Sequence, residues 1–149
     1  AMCIGSSAAF GTPTDAMDGL RGLVASGGYA LLGEGYWQKR PSPEYLEFLG
    51  GDETVYASHD QTGSQLEAAG WEVVATREVT QDEWDSYEDT YATNIEAFVR
   101  ANPDDPDAPA MLARIRRWRD AYLKWGRGTL GFGLYLARRG SGQVSPGPA

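Results

Sequence analysis

Charge runs along this chain in blocks. Residues 52–107 carry 15 acidic and 2 basic side chains, whereas residues 108–149 carry 1 acidic and 8 basic ones, so segments of net −13 and +7 abut. Both blocks coincide with helical periodicity. Trp84, Tyr87, Tyr91, Ile95 and Phe98 recur at spacings of 3 and 4, and so do Met111, Ile115, Trp118, Tyr122 and Trp125. Thr80 followed by Glu83 is a capping box for the first helix, and Asp105 with Pro106 is expected to start the second. The short turn at Asn102-Pro103-Asp104 implies antiparallel packing, with Asp82, Glu83, Asp85, Glu88, Asp89 and Glu96 facing Arg114, Arg116, Arg117, Arg119, Lys124 and Arg127. The aromatic residues at helical spacing are expected to form the core of this hairpin.

The internal pairing also accounts for a net charge of −8, which a nucleic-acid-binding protein would not show. The chain has 149 residues, the size of one domain, and no apolar run of about 20 residues to span a membrane. Its single cysteine, Cys3, excludes an internal disulfide, and one Cys with one His gives no zinc ligand set. A cytoplasmic setting, without nucleic acid, membrane or metal, is the expectation.

Around the hairpin, strands and helices alternate. Residues 2–5 end a short strand, and a helix follows from Thr14 or Asp15 to Gly27-Gly28. Residues 29–33 form a second strand, and residues 34–41 are expected to leave it as a loop. Pro43 opens a short helix closed by Gly50-Gly51, and residues 65–69 form another. Strands follow at 71–79 and 129–138, the latter with Gly131 and Gly133 alternating with Phe132 and Leu134. This order specifies an α/β fold with helices on the faces of a sheet of about four strands. Residues 1–139 form the domain, with the hairpin inserted at about 81–127, and the Gly/Ser/Pro-rich tail 140–149 is expected to be disordered. His59 is expected to be a surface or loop histidine. Tyr36 and Trp37, beside a strand end, are candidate binding residues. A hydrolase using Ser6 and His59 has no supporting spacing.

Five segments carry a resemblance. Residues 3–11 (Cys-Ile-Gly-Ser-Ser followed by Ala-Phe-Gly), 26–28 (Ser-Gly-Gly), 31–37 (Leu-Leu-Gly-Glu-Gly-Tyr-Trp), 82–88 and 118–132 together resemble S-adenosylmethionine-dependent methyltransferases of the Rossmann-like class. The likeness is to the carboxyl-terminal half of such an enzyme, from its fourth strand onward. It implies a partial Rossmann-like sheet whose last strand is antiparallel and inserted between two others. It also implies that Ser6, Ser7 and Phe10 lie beside the methyl donor. Glu34, Tyr36 and Trp37 would line the acceptor side, with Trp84, Tyr87 and Tyr91 closing the pocket as a lid. The family's glycine-rich donor-binding turn and ribose-binding acid have no counterpart in the sequence. A truncated methyltransferase, inactive and binding no S-adenosylmethionine by itself, is therefore expected, with its catalytic residue unassigned. The alternatives are an oligomerising protein, a homodimer through the exposed strand Met2–Gly5, and a small-molecule binder using Tyr36, Trp37 and the hairpin.

Overall fold

The computed structural model describes residues 1–140, and the expected disordered tail lies outside them from residue 141 onward. The described chain forms two compact units. One contains Ala1–Tyr36, Ala57–Glu78 and the segment from Phe132 onward; the other contains Trp37–Tyr56 and Val79–Gly131.

The first unit holds most of a four-stranded sheet of order β1-β2-β4-β3, with β1 Met2–Ile4, β2 Tyr29–Trp37, β3 Trp71–Glu78 and β4 Leu130–Arg139. β1 and β2 are parallel, with Cys3 opposite Leu32, and are joined through α1, Pro13–Leu23. β4 is antiparallel to β3, with a bulge between Val73 and Ala75. It is also antiparallel to β2. The Gly27 amide donates to the Arg139 carbonyl and the Arg139 amide to the Gly28 carbonyl, while at the other end Gln38 donates to Thr129. The final strand is thus antiparallel and inserted between two others. The sheet specified by the sequence is present, with four strands.

Side chains alternate across the strands. On one face Cys3, Ala30, Leu32, Tyr135 and Ala137 pack with Ala16, Met17 and Leu20 of α1, with Leu66 of α3 (His59–Ala68) and with Trp71. Two glycines shape the sheet. A Cβ on Gly33 would lie 2.8 Å from the Phe132 ring and 3.0 Å from Ile4; one on Gly133 would lie 2.7 Å from the Tyr135 hydroxyl oxygen. The open backbone expected opposite Phe132 and Leu134 is therefore filled by the chain's own tyrosine.

Four expectations differ from the structure here. Residues 34–37 are strand, not loop, because β4 supplies partners along the whole of β2; glycines beside a proline-bearing segment imitate a loop in the sequence. The short helix expected at 65–69 is α3, ten residues long. Ser58 starts it with a capping box to Gln61, so His59 lies on a helix and not in a loop, with its Nε2 buried and not at the surface. Helix α1 begins at Pro13, because Thr12 caps it and accepts from the Asp15 amide.

The second unit holds α2, Pro43–Leu49, capped by Ser42 and ended by Gly50 at φ 72°, and the hairpin of α4, Gln81–Ala101, and α5, Ala108–Ala121. The Thr80–Glu83 capping box is present. Asp105 does not cap α5. Its carboxylate accepts from the Asp107 amide within the turn, and the helix starts at Ala108. Helix α5 runs into a π-helical turn, Tyr122–Gly126, closed by a bond from the Arg127 amide to the Tyr122 carbonyl. The opposite charges do meet. Arg119 pairs with Asp89 at 2.7 Å, Arg127 with Asp85 at 2.8 Å and Arg116 with Glu96 at 3.6 Å. The expected hairpin core is present on the second stripe, where Ile115 and Tyr122 are buried, but the α4 stripe does not form it. Tyr87, Tyr91 and Phe98 are exposed, and Glu88 and Ala92 are the buried residues of α4.

Candidate functional site

In open α/β sheets, ligands bind outside the carboxyl ends of parallel strands. Two such ends lie in the first unit. After β1, Ser6 is exposed with its hydroxyl 3.4 Å from the Cys3 thiol. Ser7 is buried, and Phe10 is exposed beside Gly19. At the carboxyl end of β2, Glu34 and Tyr36 follow Leu32 on the face covered by α1 and α3, and both are buried.

Around them lies a polar cluster. The Tyr36 hydroxyl donates to the Glu78 carboxylate. The His59 ring, at the first turn of α3, meets Tyr36 edge-on at 5.3 Å and stacks on Tyr135 at 4.9 Å. Tyr135 is fully buried and donates to the His59 carbonyl at 3.2 Å. Burial pushes its phenol up to about 12, and the nearby Tyr36, Glu78 and Glu34 push in the same direction. It is a neutral donor at physiological pH.

Two buried polar atoms of this cluster have no hydrogen-bond partner among the described residues: Glu34 Oε2 and His59 Nε2. The other Glu34 oxygen accepts from the Gly35 amide at 3.1 Å. The sequence pointed to Glu34 and Tyr36; the structure brings Tyr36 together with His59 and Glu78, with Tyr135 stacked on His59 and Glu34 two residues before Tyr36 on the same face of β2. The readable signal for His59 was Ser58-x-x-Gln61, which places the imidazole on the first turn of a helix.

The remaining candidates lie in the second unit. Trp37 donates from Nε1 to the Glu53 carbonyl at 2.9 Å, and its ring meets Tyr45 and Tyr56 edge-on at 6.1 and 5.2 Å. Trp84, Tyr87 and Tyr91 follow one another along α4, with ring centroids 6.1 and 6.3 Å apart. Glu88 is buried and accepts from Trp118 Nε1 at 2.9 Å; desolvation holds its carboxyl above the ordinary range. Asp85 accepts from Arg127, Tyr122 and Gln81, and these bonds, Arg127's first, hold it down to about 2. Between α2 and α5 an open groove of about 860 Å³ is lined by Phe48 and Trp125, with Arg117 over the first ring and Lys124 over the second.

No protein-family model matches the chain. An uncharacterised Escherichia coli protein, YjhP, is 26% identical over 137 residues, which are 91% of this chain and 55% of that protein. Its crystal structure superposes with a TM-score of 0.79 over 91% of this chain and 56% of that one. A Geobacter sulfurreducens S-adenosylmethionine-dependent methyltransferase, solved with S-adenosyl-L-homocysteine, gives 0.78 at 24% identity, covering 91% of this chain and 55% of its own. The fold is that of the S-adenosylmethionine-dependent methyltransferases. A third such methyltransferase, from Thiobacillus denitrificans and also in complex with S-adenosyl-L-homocysteine, gives 0.76 at 24% identity over 91% of this chain and 56% of its own. The chain spans about half the length of these proteins.

The methyltransferase fold implies S-adenosylmethionine, and the described residues at the carboxyl end of β1 can be compared with what that group needs. A nucleoside needs close backbone approach and a carboxylate for the ribose hydroxyls. The carboxylate beside the β1 loop, Asp15, is engaged by the Thr12 amide at 2.9 Å and the Thr12 hydroxyl at 2.7 Å, and a Cβ on Gly11 would lie 2.8 Å from it. Ser7 is buried, which leaves Ser6 and Phe10 exposed at this strand end.

Proposed function

We propose that this chain is the acceptor-side portion of an S-adenosylmethionine-dependent methyltransferase, incomplete for methyl transfer by itself. The observation that carries the reading is the sheet order with β4 antiparallel between β2 and β3, matched over 91% of the chain by structures solved with S-adenosyl-L-homocysteine. In this reading Ser6 and Phe10 border the donor, and the end of β2 with Glu34 and Tyr36 receives the acceptor. Methyl transfer depends chiefly on alignment of donor and acceptor, so one side of the site supplies little catalysis. Calorimetric titration of the 149-residue chain with S-adenosyl-L-homocysteine is expected to give no stoichiometric heat. A micromolar one-to-one isotherm would refute the incompleteness.

A second reading has its own observation. β1 is an edge strand with Met2 75% and Ile4 46% exposed, and an exposed apolar edge templates pairing with another strand. A homodimer through Met2–Gly5 is expected to appear in sedimentation as a mass that rises with concentration. A constant monomer mass would exclude it.

A further inference from the structure

Glu34 is 7% exposed, and its Oε2 accepts no hydrogen bond from any described residue. Buried carboxylates are ordinarily paired or fully hydrogen-bonded. His59 Nε2 is a second buried atom without a partner, on a ring packed against Tyr36 and Tyr135. Its Nδ1 lies 3.7 Å from the exposed Asp60 carboxylate. Two unused polar atoms thus belong to one cluster at the carboxyl end of β2.

The chemistry of that cluster is one-sided. The groups whose charges bear on Tyr135 are Tyr36, Glu78 and Glu34, all acidic. The rings of Tyr36 and Tyr135 pack against His59, edge-on and stacked respectively. Among the described residues no three His, Cys, Asp or Glu side chains converge as metal ligands, which disfavours a metal ion. An anion would meet two carboxylates. A neutral hydroxyl can bond one atom of the pair as donor and the other as acceptor, but it brings no charge to set against the buried Glu34 carboxylate. An ammonium group has at least two N–H donors and the complementary charge.

We propose that Glu34 and His59, walled by Tyr36 and Tyr135, form a recognition site for the protonated amino group of a small organic molecule. This deepens the acceptor-side reading and rests on it only for the site's place at the end of β2: it makes the acceptor an amine. The chemistry stands on the unpartnered atoms whether or not the chain transfers methyl groups.

His59 is the only histidine in the sequence, so its ring resonances are an unambiguous reporter. The full chain, labelled with ¹³C and ¹⁵N, is titrated at fixed pH and ionic strength with propylammonium chloride. Propan-1-ol, sodium propionate and magnesium chloride serve as comparators. Saturable shifts of the His59 ring are expected with propylammonium, and at least tenfold weaker responses with the other three. Glu34→Gln, checked for fold in the same spectra, is expected to weaken propylammonium binding at least tenfold. No saturable shift would overturn the proposal. So would an equal response to propan-1-ol, which marks a site for a water or hydroxyl, or to magnesium, which marks non-specific charge attraction. Wild-type affinity in Glu34→Gln would overturn it as well. The wild-type comparison decides the matter even if that variant does not fold. The S-adenosyl-L-homocysteine titration reads the acceptor-side reading separately, so the two can fail independently.

Discussion

Gly133→Ala tests whether Tyr135 is held where the structure places it. The two residues share a face of β4, and the Tyr135 ring lies back over the glycine. An added Cβ would sit 2.7 Å from the hydroxyl oxygen and 2.9 Å from two ring carbons, well inside van der Waals contact. The ring has little room to retreat. It is fully buried, stacks on His59 at 4.9 Å and donates to the His59 carbonyl. Overpacking of this kind costs about 1–3 kcal/mol, and breaking the phenol's hydrogen bond adds about 1 kcal/mol. A loss of about 2–4 kcal/mol is therefore expected. In urea, at about 1–3 kcal/mol per molar, that lowers the midpoint by roughly 1–2 M with the slope unchanged. Gly63→Ala is the control. It lies within α3, and a Cβ there meets nothing within 4 Å. It is expected to stabilise the protein by about 0.5–1 kcal/mol through helix propensity. Tyr135→Leu in the Gly133→Ala background should recover part of the loss relative to the sum of the single changes. A change below about 0.5 kcal/mol in Gly133→Ala, or strict additivity in the cycle, would refute the account.

Two predictions concern pH and one a single hydrogen bond. Asp85 titrates from an ordinary 3.8 down to about 2 in the fold, so its stabilising contribution is present above pH 3.8 and is lost as pH falls toward 2. Because Arg127 is half exposed, Asp85→Asn should cost only about 1 kcal/mol at neutral pH and flatten acid unfolding across that window; an unchanged acid profile would count against it. Glu88 is shifted upward, so the folded state holds its proton more tightly and stability declines as pH rises above the ordinary 4.5. Glu88→Gln keeps an acceptor for Trp118 and should remove that decline in urea melts run across pH 4–8. Trp37→Phe loses the bond to the Glu53 carbonyl and should cost about 1 kcal/mol by thermal unfolding, with no loss meaning that solvent replaces it.

Much of the fold could be read from local chemistry. The Thr80–Glu83 box, Pro43 and Gly50 bounding α2, and the strands apart from the second half of β2 depend on residues adjacent in sequence. What escaped depended on distant neighbours. Glu34 to Trp37 is strand only because β4, nearly a hundred residues later, pairs along it, and Gly33 serves the Phe132 ring. The same applies to the candidate site. Glu34 and Tyr36 could be suspected at the end of an apolar run, but Glu78 and Tyr135 join them through the pairing of β3 with β4, and His59 through a helix without a clear apolar stripe.

The hairpin shows what periodicity leaves open. At about 100° per residue, the stripe of Trp84, Tyr87, Tyr91, Ile95 and Phe98 and the stripe of Asp85, Glu88, Asp89, Ala92 and Glu96 are centred roughly 110° apart on α4. Both cannot face α5 squarely. The second does, because its carboxylates have Trp118, Arg116, Arg119 and Arg127 to meet, and Ala92 allows close approach. Tyr87 and Tyr91 are left 60% and 41% exposed. The double change Tyr87→Ser and Tyr91→Ser should therefore alter stability by no more than about 0.5 kcal/mol per site, as substitutions on an open surface do. Ala92→Leu adds volume at the buried contact and should cost about 1–3 kcal/mol. Urea melts of the two variants decide between the stripes. If the tyrosine pair proves costly and Ala92→Leu is tolerated, the aromatic stripe is the packed face.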